Sequence, residues 1–248
     1  MSHGPAGPTP APARLEVWGV RGIGEVTRAA DVAGMIAGAV RAQGDELRDG
    51  DVVVVTQKVV SKAEGAMVAV DPDDPDAHRR LVESEAVRVL RRRGDLAITE
   101  TRHGFVCANS GVDLSNVEAG WAAVLPVDPD RSARRLRDGL RARAGVEVGV
   151  VVSDTFGRPW RHGLTDVAIG SAGLAALVDL RGTEDSLGRE LHATEVALVD
   201  ELAGAAELVM GKADRVPVAV VRGGPAWWFR SGGVGAELVR PPAQDLFR

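Results

Sequence analysis

A chain of 248 residues, 45% hydrophobic and 26% charged, is long enough to bury the core of one large domain or two small ones and too apolar to stay unfolded. Its net charge of −5 argues against nucleic-acid binding by blanket phosphate neutralisation, and its single cysteine excludes an intramolecular disulfide or a cysteine zinc cage. No stretch approaches the roughly 18 uninterrupted apolar residues of a membrane span, so the expectation is a cytoplasmic protein of mixed α and β structure.

Residues 1–13, MSHGPAGPTPAPA, lack a basic start followed by an apolar run and read as a disordered tail, not a signal peptide. Residues 14–20 alternate polar and apolar as a half-buried strand does. Asp31 can cap a helix running to about Gln43, with Val32, Met35, Ile36, Ala39 and Val40 at helical spacing. After the Asp49-Gly50-Asp51 turn, the β-branched run from Val52 to Val60 reads as a buried strand. An amphipathic helix is expected from His78 to Arg93, then short strands at 96–101 and 104–108. Pro129 opens an arginine-rich helix to Arg143. A buried strand comes next at 146–152, then a helix at 194–209 and a last strand at 216–221. Trp227-Trp228-Phe229 reads as a docked C-terminal segment, since no basic patch accompanies it as a base-stacking platform would require.

Only Lys58, Lys62 and Lys212 among thirty basic residues are lysines; the rest are arginines. Lysine is a compact point charge and arginine a planar fork, so in a chain this biased the remaining lysines are candidates for sites the fork cannot serve. Two of them lie in Thr56-Gln57-Lys58-Val59-Val60-Ser61-Lys62, where ammonium groups beside hydroxyls suit polyphosphate or carboxylate, or simply solvate a strand end. Asn109 and Asn116, the only asparagines, fall next to Asp113. Their oxygens suit a hard cation such as Mg²⁺ or Mn²⁺, or equally turn and cap chemistry. The third segment is Val150 to Asp166, in which a buried strand empties into Asp154, Thr155, Arg158, Arg161, His162 and Asp166 without a packing pattern. A carboxylate held directly after a rigid strand suits a metal ligand or a general base, and the paired arginines suit an anion. Gly22-Ile23-Gly24 lacks a third glycine at dinucleotide spacing, and Gly211-Lys212 lacks the flanks of a P-loop, so a nucleotide site would be of neither common kind.

VVVVTQKVVSKAEG, ETRHGFVCANSGVDLSNV, VVSDTFGRPWRHGLTDVAIG and GRELHATEVALVDELAGAAELVMGK, the last followed by PVAVVRG, together resemble the coenzyme F420:L-glutamate ligase family. The resemblance runs in order from about Leu15 to Gly223. It implies an α+β fold of mixed sheets and packed helices, neither P-loop nor Rossmann, with two intertwined subdomains in a homodimer. Residues 14–224 would form the ligase domain and residues 225–248 a C-terminal segment of unassigned role. The implied reaction adds L-glutamate to coenzyme F420-0 or its dehydro form, using GTP through an acyl phosphate, with two divalent ions (Mn²⁺ or Mg²⁺) and a monovalent cation. Carried over by position, Asp113 and Asp154 would hold one metal and Thr155 the second. Ile23, Gly24, Glu25, Val26, Gln57, Lys62, Asn116, Met210, Gly211 and Lys212 would lie on GTP, and Lys62, Arg158 and Arg161 would act in catalysis. The chain departs from the family's usual pattern at Ile23-Gly24 and at Gln57. Two other readings stay open: a nucleotide- and metal-binding regulatory module without catalysis, and a GTP-dependent ligase for another carboxylate.

Overall fold

The computed structural model describes residues 14–245; the expected N-terminal tail lies outside them. The fold is α+β. Its central sheet has five strands in the order β1 (Glu16–Gly19), β12 (Val218–Arg222), β2 (Val52–Thr56), β8 (Gly149–Arg158) and β9 (Arg161–Ala172). Only β2 and β8 run parallel; the other neighbours are antiparallel. Val52–Val55 and Val150–Val152 are fully buried at the middle of the sheet, as expected for strands covered on both faces. The even-numbered valines of β8 face α1 (Val32–Ala42) and α4 (Pro129–Ala144). Val151 faces the other side, under α5 (Leu198–Met210) and the C-terminal Trp228 and Val234.

Smaller pieces surround this sandwich. Helix α2 (Gln57–Glu64) continues directly from β2, and β3 (Met67–Ala69) pairs with β7 (Trp121–Ala123). Helix α3 (Ala77–Glu85) leads into a three-stranded sheet of β4 (Ala86–Arg93), β5 (Leu96–Thr101) and β6 (Val106–Ala108). Strands β10 (Val178–Asp179) and β11 (Glu195–Val196) form a short ribbon, and α6 (Val234–Glu237) closes the C-terminal segment. Among the described residues no helix is long and apolar enough to cross a membrane.

Four elements differ from the sequence reading. The strand expected over 52–60 stops at Thr56, because Gln57, Ser61 and Val60 form a buried helical face that continues to Gly65 in the left-handed region, φ 74°. The helix expected over 78–93 ends at Glu85. Beyond it, β-branched Val87 and Val89 alternate with arginines, and the backbone pairs with β5 instead, with Arg88 bonded across to Glu100. The segment after Val152, expected as a loop, continues β8 to Arg158 and turns back through Pro159-Trp160 into β9 as a long hairpin arm. The helix expected from Thr194 starts later, at Leu198, after the β11 ribbon.

Asp128 caps α4 by accepting from the Arg131 amide at 2.9 Å, and Pro129 takes the first turn. That turn rests directly on Gly170 of β9, where an added Cβ would lie 2.3 Å from the Pro129 carbonyl carbon. Backbone cannot yield as a side chain does, so Gly170→Ala should cost about 1–3 kcal/mol by overpacking. Gly157 of β8 has open space around its Cβ direction. Thermal melts should show Gly170→Ala clearly below the parent chain and Gly157→Ala close to it.

Candidate active site

Because β2 and β8 are parallel and in register from Val52 opposite Gly149 to Thr56 opposite Ser153, their C-terminal ends open on the same edge of the sheet. Two segments are thereby brought together there: helix α2, leaving β2, and Ser153-Asp154-Thr155 on β8. Lys58 and Lys62, one helical turn apart, stand on one face of α2.

Asp113 arrives from a separate direction. Past β6, Asn109 and Ser110 adopt left-handed conformations in a short 3-10 turn (Asn109–Gly111). Asp113 is then pinned by two backbone hydrogen bonds to Ala123, both 2.9 Å. Its Oδ2 pairs with the Lys58 ammonium at 2.8 Å, and its Oδ1 accepts from the Ser115 amide at 2.7 Å. Lys58 also donates to the Ser115 carbonyl at 2.6 Å and hydroxyl at 2.9 Å. A file of rings ties this segment to β8: His103 stacks on Phe105 at 5.4 Å, and Phe105 meets Phe156 edge-on at 6.3 Å. Burial holds the half-buried His103 imidazole below its ordinary value.

The two aspartates share one electrostatic neighbourhood with opposite outcomes. Burial raises the Asp113 carboxyl, but Lys58 and Ser115 outweigh it and leave it below the usual range. Asp154 has no such partner. Displacement of water around it, reinforced by the charges of Asp113 and Asp166 and only partly offset by the Thr155 amide and Lys212, raises its carboxyl to about 7. Cys107 lies close enough to feel Asp154, and burial with that charge pushes its thiol up to about 12.

Strand alternation places Asp154 on the α1–α4 face with Val150 and Val152, and Thr155 on the opposite face with Val151. There Thr155 stands opposite Asp166 in the β8–β9 register and donates to its Oδ1 at 2.6 Å, while Ser153 donates to its Oδ2 at 3.1 Å. Lys212, just past α5, donates to the Thr155 hydroxyl.

The remaining candidates are placed unevenly. Glu25 is exposed and ion-paired with Lys62; Ile23 packs on the core, Gly24 is exposed, and Val26 is buried. Gln57 is 2% exposed, and its amide donates to the Ser61 hydroxyl at 2.6 Å and the Val124 carbonyl at 3.0 Å, so the side chain faces the interior. Met210, the last residue of α5, is buried in the core, Gly211 takes φ 60°, and Asn116 is exposed with φ 53°. Arg158 and Arg161 sit at the exposed end of the hairpin arm, Arg158 bonded to the His162 carbonyl at 2.9 Å. Arg158 is four residues past Asp154, roughly 13 Å along the strand, so the structure does not bring this pair to the carboxylates. Sequence reasoning gave no role to Asp166 or Ser115. Asp166 could have been found by folding residues 150–172 about Pro159-Trp160, which sets it across from Thr155.

Residues 22–223 match the family described as F420-0:Gamma-glutamyl ligase. The chain belongs to this family. Among its relatives, the coenzyme F420:L-glutamate ligase of Methanothermobacter thermautotrophicus is 43% identical over 249 aligned residues, covering 94% of this chain and 99% of that protein. The protein of the same name from Methanopyrus kandleri is 47% identical, covering 84% of this chain and 89% of that protein. The one from Methanocaldococcus jannaschii is 40% identical, covering 82% and 86%.

Fit to a divalent ion can be judged from the donor set. Among the described residues no group of three or more His, Cys, Asp and Glu side chains gathers as a cage. An ion here would rest on Asp113 and Asp154 and complete its shell with water and phosphate, the arrangement Mg²⁺ adopts beside nucleotides. Asp154, buried near a second carboxylate and only partly compensated by Lys212, fits that role.

A carboxyl whose pKa rises on folding keeps its proton in the folded chain after the unfolded chain has lost it. Stability contributed by Asp154 is therefore fully present below its ordinary value of 3.8 and declines as pH rises toward about 7. In chelator-treated protein, Asp154→Asn should melt progressively higher than the parent as pH goes from 4 to 8; a pH-independent difference would contradict this environment.

Proposed function

We propose that this protein is a GTP-dependent ligase that joins L-glutamate to coenzyme F420-0, or its dehydro form, through an amide bond. Family membership supports the ligase activity, and one observation supports the chemistry: the Asp113 and Asp154 carboxylates, from separate segments, are near enough to feel each other's charge, with Lys58 paired to Asp113. Joining a carboxylate to an amine in water requires an activated carboxylate. Transfer of the GTP γ-phosphoryl group to the coenzyme's carboxylate gives an acyl phosphate and GDP. Attack by the glutamate amine then expels phosphate and closes the amide, with the amine's proton passing to solvent or base. A divalent ion on Asp113 and Asp154 would supply positive charge against the transferring phosphoryl oxygens.

The chain's own residues supply the rest. Lys58 holds Asp113 ionised and oriented, and the Ser115 amide fixes the carboxylate's second oxygen. Lys62 presents a compact ammonium for phosphate, with Glu25 keeping it in place until nucleotide arrives. In this reading the exposed Gly24, Glu25 and Asn116, with Ile23 and the Gly211-Lys212 corner, would contact the nucleotide, and the buried Val26, Gln57 and Met210 would act only by shaping the backbone around it. Arg158 and Arg161 offer planar forks for an anionic partner further along the arm. A homodimer is part of the same reading: Trp160 and Leu164, 83% and 65% exposed on the arm, are apolar surface suited to a second copy.

The test is incubation with GTP, Mn²⁺, glutamate and glutamate-free coenzyme. GDP should form only when both acceptors are present, with product heavier by one glutamyl unit. Asp154→Asn and Asp113→Asn should each lower turnover by about 100-fold or more while retaining a cooperative melt. Nucleotide binding without turnover would favour a regulatory module, GDP release with other acids would favour a different ligase, and full activity in either variant would remove the ion from these carboxylates.

A further inference from the structure

The two faces of the β8 end are not equivalent. On the Asp154 face there are two carboxylates and one ammonium in contact, Lys58. On the Thr155 face the groups are already matched. Asp166 is 3% exposed and accepts from both the Thr155 and Ser153 hydroxyls. The one hydrogen of the Thr155 hydroxyl is committed to the Asp166 oxygen it donates to, and its lone pairs turn outward. They meet the Lys212 ammonium, which has donors and no lone pair. Placement of Lys212 is built into the backbone. Gly211 ends α5 at φ 60°, where a Cβ would lie 2.3 Å from the Asp214 carboxylate, and the turn returns Lys212 over the end of β8. Glu207, on the last turn of α5, is near enough to feel both Asp166 and Lys212.

We propose that the Lys212 ammonium is a resident cation seated on the Thr155 hydroxyl, so that this chain takes a single divalent ion, on Asp113 and Asp154, and supplies the second positive charge itself. The inference rests on the reading of those carboxylates as an ion site, and it revises the pair of divalent ions that the sequence resemblance implies. An ammonium in this position retains two hydrogens for phosphate oxygens bound at the strand end, which is how a lysine serves phosphoryl groups elsewhere. Asp166 is then a positioning residue: it orients the hydroxyl so that the oxygen, and not its hydrogen, faces the cation.

The experiment counts Mn²⁺ bound per chain by the electron paramagnetic resonance signal of free Mn²⁺, using the full chain and Mn²⁺ alone, with melting curves to verify folding. The parent should bind one ion. Lys212→Gln, which replaces the ammonium by an amide oxygen able to act as a ligand, should bind two, and Lys212→Arg, which keeps the charge, should bind one. Two ions in the parent would overturn the proposal, as would a count that does not rise in Lys212→Gln. No ion in the parent but one in Lys212→Gln would uphold the role of Lys212 while removing the Asp113–Asp154 reading, so the two failures are told apart.

Discussion

The parallel pairing of β2 with β8 is the constraint on which the rest depends. Two all-valine segments, buried on both faces, can only lie at the centre of a covered sheet, and their parallel register commits both C-terminal ends to one edge. The polar groups just beyond them are thus delivered together by hydrophobic burial, before any attraction between them is counted. Burial strips water from Asp154 there, and nearby carboxylates add to the cost, because the core outweighs both; the raised carboxyl is the sign of it. Antiparallel β12 and β9 complete the sheet, so the molecule is not a doubly wound nucleotide-binding fold even though its site uses the carboxyl end of parallel strands as such folds do.

Alternation along a single strand then divides the labour. Asp154 and Thr155 are consecutive, yet one turns toward Asp113 and Cys107 and the other toward Asp166 and α5. Each face has its own supporting structure. The small β4–β5–β6 sheet and the 3-10 turn after it hold Asp113, with Ser110 bonded to Thr99 and to the Val82 carbonyl beneath. The β9 half of the arm and the end of α5 hold Asp166 and Lys212. Neither set is close in sequence to the strand end it serves.

Much of this was legible in the chain. The valine runs, the Asp31 cap, the apolar face of α1 and the Pro129 start of α4 follow from periodicity and turn chemistry, and the resemblance singled out Asp113, Asp154 and Thr155. The misreadings have physical causes. Gln57 to Glu64 continues a β-branched run, and only the tertiary burial of Gln57 and Ser61 against the Val124 carbonyl shows that the period has changed from two to 3.6. The 86–93 stretch has charges compatible with a helix face, and its pairing with β5 is a nonlocal fact. Asp166 looked like one more polar residue in a loop because its role depends on a hairpin register that local pattern does not encode.

The burial of Cys107 has a consequence for how the protein weathers its surroundings. The chain's single thiol sits near the carboxylate pair, yet it holds its proton up to about pH 12. A thiol that is never thiolate in a cell is a poor nucleophile and a poor target for peroxide or alkylating agents. Burial, which also raises Asp154, therefore makes this thiol unreactive despite its place near the candidate site.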